Sequence, residues 1–227
     1  MPLKTERTRA VVLRRTNYGE ADRILQLMTP LGRRSVMAKS VRKEKSRLAG
    51  GIELFAISDV VIGKGKGELG ILTSSRLVQF YRHIMEDYDR LQFAYEMLRQ
   101  VAKASEDLDE PEWYDIATEV LMGLDNTSVP IQLTEAWFYL HFSAVLGYEL
   151  NVQRDVKGDL LQADMRYRYD VADQGLVQAQ NGEITGSHIK VLRLIGDRQL
   201  QVIIQVGGIN ELLPECLHVA RAHAALN

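Results

Sequence analysis

The sequence predicts an α+β, multidomain protein: an N-terminal five-stranded β-barrel, then an α-helical domain with a small loop-rich insert. Three observations carry this. Up to residue 82 the chain holds five short β-patterned runs separated by Gly-rich turns, whereas from Glu86 onward apolar residues recur at helical spacing. Charge divides at the same place. Residues 1–82 carry 17 Lys and Arg against 7 Asp and Glu, and the remainder 11 against 23, which suggests two domains with different partners. The stretch 148–186 is polar, rich in Asp and Gln, and breaks the helical period. The expected domains are therefore 1–82 and 83–227, the second containing the insert 148–186.

Thr8 to Arg15 reads as a strand with apolar residues on both faces. Asn17-Tyr18-Gly19-Glu20 is turn chemistry, Asp22 to Thr29 a second strand, and Pro30-Leu31-Gly32 a second turn. Arg34 to Val41 makes a third, short strand. A basic loop then leads through Gly50-Gly51 to a long strand, Ile52 to Ile62. Gly63 to Gly67 reads as a flexible basic hairpin tip, and Glu68 to Tyr81 as the fifth strand. Five short strands in so few residues point to a small closed sheet.

The first helix carries Leu91, Ala94, Tyr95, Leu98, Val101 and Ala102 on one face. Pro111 fits the start of a second, with Ile116, Ala117, Val120, Leu121 and Leu124. Ile131 to Leu146 is apolar all round, hence central, and ends at Gly147. In the insert, Lys157-Gly158, Gln174-Gly175 and Asn181-Gly182 signal turns and short hairpins. Ser187 is a candidate cap for a helix bearing Ile189, Leu192 and Ile195. Leu200 to Val206 is ambiguous between strand and helix, and Asn210 would cap the last helix.

With 227 residues, 46% of them hydrophobic, the chain can build real cores. The single Cys216 rules out an internal disulfide and a Cys-rich zinc site, and fits a reducing compartment. No apolar run approaches the ~20 residues of a membrane span. The N-terminus, MPLKTERTRA, lacks the apolar core of a signal peptide. A soluble, cytoplasmic protein is expected.

Enzyme signatures are largely missing. GKGKGE at Gly63 fails the phosphate-loop spacing, no G-x-S-x-G occurs, and the five histidines form neither HExxH nor an i, i+4 pair. His141 reads as a satisfied core histidine. The acidic run Glu106 to Glu112 reads as a solvated linker rather than a metal site. What needs a reason is Arg33 to Gly51, where Arg33, Arg34, Lys39, Arg42, Lys43, Lys45 and Arg47 crowd together with only Glu44 against them. A polyanion makes such crowding favourable, because neutralising phosphates releases condensed counterions. A barrel with a basic loop and a basic hairpin, here Lys64 and Lys66, resembles an oligonucleotide-binding (OB) barrel. Tyr18, beside Arg14 and Arg15, is the stacking candidate. Phe55 fits either core or groove, and core is the expectation because large apolar residues belong inside.

The run NYGEADRILQLMTPLGRRSVMAKSVRKEKSRLAGGIELF, Asn17 to Phe55, resembles the RecO family of bacterial recombination mediators. Tyr18, Glu20, Asp22, Ile24, Thr29, Pro30, Gly32, Lys39, Arg42, Lys43, Ser46, Arg47 and Phe55 stand in register with that family's pattern, and Ser40 stands where Gly is usual. The resemblance implies an OB-fold domain, a helical domain and no enzymatic activity. It also implies binding of single- and double-stranded DNA, strand annealing, and loading of the recombinase RecA, with the partner RecR, onto DNA covered by single-strand-binding protein. A cytoplasmic, nucleoid-associated location and no cofactor follow from it. Many members hold zinc with two C-x-x-C pairs in the insert. Here Arg154, Lys157, Gln178 and Asn181 fall at those positions, so no metal is expected. The acidic tail of single-strand-binding protein would sit on the helical domain; Arg99 and Lys103, four apart on one helix face, with Arg90 further back, are its candidate contacts. The rival readings are an RNA-binding barrel, a protein-binding scaffold and a metal-dependent nuclease.

Overall fold

The computed structural model of the chain describes residues 5–67 and 69–225, Lys66 by its backbone alone. Strands β1 (Glu6–Tyr18), β2 (Asp22–Thr29) and β3 (Gly32–Ala38) form an antiparallel meander; β4 (Ala56–Lys66) and β5 (Leu69–Phe80) form a long hairpin. β4 pairs with β1, and β3 runs parallel to β5 at Val36–Gly70 and Met37–Ile71, closing a barrel in the order β1-β2-β3-β5-β4. This is the OB-fold.

Alternation fills the barrel. Ala10, Val12, Leu25, Leu27, Val36, Ala38, Val60, Ile62 and Leu72 point inward and are buried together. The opposite face of β1 and β2 is buried as well: Val11, Leu13 and Met28 are almost wholly covered. The covering elements are helices α1 (Tyr88–Asp107) and α2 (Glu112–Asp125), which pack on the outside of β1 and account for its apolar residues on both faces. Asp87 caps α1 by accepting the Arg90 N–H at 3.0 Å. By compactness the chain divides into Met1–Asp125 and Asn126–Asn227, so the first unit comprises the barrel and both helices.

Several boundaries differ from expectation. β1 runs three residues past Arg15, to Tyr18, before Gly19 turns the chain at φ 56°. β4 begins at Ala56 and continues through the Gly63–Lys66 run, which is therefore strand rather than a loop tip. A side chain at Gly65 would collide with the Leu69 carbonyl, so the close hairpin requires glycine there.

The second unit is built on α3 (Ile131–Val145), buried nearly all round and packed against the later helices α4 (Gly186–Asp197) and α6 (Leu213–Ala224). His141 is a satisfied histidine: its ring stacks on Trp137 at 3.7 Å, and Nδ1 donates to the Trp137 carbonyl at 2.9 Å. Burial lowers its pKa below the usual 6.5. Thr185, not Ser187, precedes α4, and the His188 ring accepts its N–H at 3.1 Å. Leu200–Ile203 is a short helix, α5, burying Leu200 and Ile203 despite its β-branched composition. Asn210 opens a 3-10 turn, and α6 starts at Leu213 with Pro214 in its first turn.

The insert forms a hairpin, β6 (Tyr167–Asp170) with β7 (Gly175–Gln178). The zinc positions do not fit a metal: Arg154, Lys157, Gln178 and Asn181 are all exposed, and the Arg154 guanidinium donates to the Gly158 carbonyl at 2.6 Å. Backbone and side-chain hydrogen bonds hold the insert instead. Tyr167 exchanges two backbone bonds with Ile184, at 2.8 and 2.9 Å. Tyr169 Oη lies 2.8 Å from Nδ1 of buried His223, whose Nε2 donates to the Tyr148 carbonyl at 2.6 Å. Burial, then the Asp170 carboxylate, pushes the Tyr169 hydroxyl up to about 12, so it keeps its proton and donates.

Candidate nucleic-acid interface

The basic segment leaves β3 at Ala38 and is pinned at once to the β1–β2 turn. Ser40 N–H donates to Asp22 Oδ1 at 2.6 Å, Arg42 N–H to the Ala21 carbonyl at 2.9 Å, and the Arg42 guanidinium to the Gly19 carbonyl at 3.2 Å. Ser40 adopts φ 54°, a left-handed conformation that glycine takes without strain. Val41 enters the barrel core at this near end and Ile52 at the far end, where Ser75 Oγ donates to the Leu48 carbonyl at 2.9 Å. The loop is therefore held at both ends, and its charged middle stands in solvent.

The candidate cations separate into two groups. Lys39, Arg42, Lys43, Lys45 and Arg47 are exposed and form no ion pair among the described residues. Lys64 is exposed near the end of β4; the Lys66 side chain lies outside the described residues. Tyr18, 54% exposed, stands at the end of β1 beside the turn that Arg42 grips. The other group is engaged within the fold. Arg33 meets Glu106 at 3.9 Å, and its N–H donates to Asp109. Arg34 pairs with Glu6 at 3.1 Å, and Arg15 with Glu53 at 3.0 Å. The acidic run at the end of α1 thus pairs with Arg33 through Glu106 and caps the β2–β3 turn through Asp109, which is neither of the roles expected of it. Phe55 is buried, at φ 57°, and meets Tyr95 edge-on with centroids 5.0 Å apart, so it belongs to the core.

Arg90 is not a surface cation. It is 9% exposed, and its guanidinium donates to the Leu124 carbonyl at 2.8 Å, tying α1 to the end of α2. Arg99 and Lys103 are exposed on α1, where with Arg14 they edge a cavity of about 560 Å³ whose walls include Leu13, Leu54 and Leu98. The cavity was not readable from local sequence. Its one signal was β1 being apolar on both faces, which calls for a cover.

The family description "Recombination protein O N terminal" matches residues 1–81, the barrel and its loop. A protein named DNA repair protein RecO from Dehalococcoides mccartyi is 31% identical over 226 residues, covering 96% of this chain and 88% of that one. The chain belongs to the RecO family. A RecO protein of Roseiflexus sp. strain RS-1 is 36% identical over 143 residues, covering 63% of this chain and 50% of its own. Another, from Desulfatibacillum aliphaticivorans, is 33% identical over 144 residues, covering 62% and 56%. Of the residues in register with the RecO pattern, Asp22 and Arg42 fasten the basic loop here, and Lys39 is one of its exposed cations. Among the described residues, no helix is long and apolar enough to cross a membrane.

Proposed function

We propose that this chain is a DNA repair and recombination mediator that binds single- and double-stranded DNA, anneals complementary strands and helps load RecA, with RecR, onto DNA covered by single-strand-binding protein. The observation that carries this is the set of exposed cations Lys39, Arg42, Lys43, Lys45 and Arg47, which form no ion pair among the described residues, on a loop fastened to an OB barrel. Membership of the RecO family supports it, since the relatives bear the name of a DNA repair protein. Flexible Lys and Arg side chains on a loop suit phosphates, which position a strand without reading its sequence. Two strands held this way have their mutual repulsion screened while their bases remain free to pair, so annealing needs no catalytic group. RecR and single-strand-binding protein are the partners in this reading, and it asks for no cofactor and no bond-making chemistry. It places the protein in the cytoplasm, at the nucleoid.

A salt titration of binding to labelled single-stranded DNA tests it. Replacing Arg42, Lys43, Lys45 and Arg47 by Ala should weaken binding and lower the salt slope by roughly 0.7 to 0.9 per lost phosphate contact. These side chains are exposed, so the fold should persist. An unchanged slope in the folded variant would move the DNA elsewhere. Competition between DNA and RNA of equal length separates this function from an RNA-binding barrel.

A further inference from the structure

The cavity between β1, β2 and α1 has the chemistry of a base-binding slot. Its walls are apolar, from Leu13, Leu54, Leu98 and Ala102, with Tyr95 at the side, 48% exposed. Tyr95 is not a loose ring. Phe55 packs edge-on behind it from a left-handed backbone conformation, which for a bulky residue stores strain of the kind found at functional sites. Gln26, the cross-strand partner of Arg14, reaches across to α1 and donates to the Ala102 carbonyl at 3.4 Å and to Glu106 at 3.3 Å. The Gln26 amide thus joins the lining, which exposed Arg14, Arg99, Lys103 and Glu106 complete. The apolar side chains and the Gln26 amide suit a base, and the three cations suit its phosphates.

The slot also continues the basic loop. Arg14, Thr16 and Tyr18 alternate onto one exposed face of β1, spanning about 13 Å at ~3.3 Å per residue, and Tyr18 adjoins the turn gripped by Arg42. A strand leaving the loop would pass Tyr18, then Arg14, and reach the cavity. We propose that the cavity seats one unstacked base of single-stranded nucleic acid against Tyr95, with the flanking phosphates on Arg14, Arg99 and Lys103; this rests on the DNA-binding reading. Paired bases cannot enter, so the slot gives the protein a preference for single strands.

The test uses the full chain and two probes of equal length, a thymidine oligomer and a sugar–phosphate oligomer without bases. Base stacking on an aromatic side chain should make the thymidine oligomer bind about tenfold tighter. Tyr95→Ala should remove most of that ratio while leaving the base-free oligomer bound as before; the basic-loop variant should weaken both equally. Equal affinities in the wild type overturn the slot, and they do so even if Tyr95→Ala fails to fold. A ratio that a folded Tyr95→Ala leaves intact also overturns it, moving the base elsewhere. If neither oligomer binds, the DNA-binding reading falls with it.

Discussion

Ser40 occupies a position where its Cβ is a burden. Its φ of 54° follows from the two bonds on either side, Ser40 N–H to Asp22 and Arg42 N–H to Ala21, which force the chain to reverse as it leaves β3. A left-handed L-residue carries roughly 1–2 kcal/mol of strain that glycine avoids. Glycine gives part of that back through its freer unfolded chain. Ser40→Gly is therefore expected to raise stability by about 0.5–1 kcal/mol, read as a higher urea midpoint with unchanged slope. An unchanged or lower midpoint would mean that the serine hydroxyl contributes more than the strain removes. The motif containing Ser40 was visible in the sequence, but the reason for a glycine there was not, since it depends on Asp22, which lies on another strand. Arg33 and Arg34 make the same point for charge. In the sequence they belong to the basic run; in the fold they meet Glu106 and Glu6, one of them more than seventy residues away. Composition identifies a cluster of cations, but tertiary pairing decides which of them remain free.

At the scale of elements, legibility followed the strength of local signals. β2 is found at its expected limits, Asp22–Thr29, because turn residues bound a compact apolar run on both sides. The β4 tip was misread because glycine and lysine alternate there as they would in a loop; the ladder with β5 overrides that propensity. The insert was legible as a break in the helical period, but not in how it holds together. His223 bridges it, accepting from Tyr169 and donating to the Tyr148 carbonyl, from a helix more than fifty residues further along the chain. Tyr169→Phe leaves that buried ring nitrogen without its donor and should cost about 1–3 kcal/mol. Because no thiol stands at the metal positions, melting in a strong chelator should match melting without it for the wild type. A chelator-induced drop, or about one zinc per chain on elemental analysis, would show that a metal shares the work assigned to Tyr169 and His223.

For the whole molecule, the question is where the barrel can be cut. Charge and periodicity both change near residue 82, and a cut there would keep all five strands. It would also strip α1 and α2 from the outer face of β1 and β2, where Val11, Leu13 and Met28 are buried at no more than 5% exposure. Each such side chain is worth about 1.5–3 kcal/mol of burial, a large share of a small domain's net stability. The caps on the β2–β3 turn from Asp109, and the pairing of Arg33 with Glu106, would go with the helices. A fragment of residues 1–125 should therefore melt cooperatively and bind single-stranded DNA with nearly the full salt slope, because the basic loop and the cavity lie within it. A fragment of residues 1–82 should expose apolar surface, bind a hydrophobic dye and lack a sharp transition. If the shorter fragment melts as cooperatively as the longer one, the helices do not complete the barrel's outer face. The cavity would then be a junction between independently folded parts.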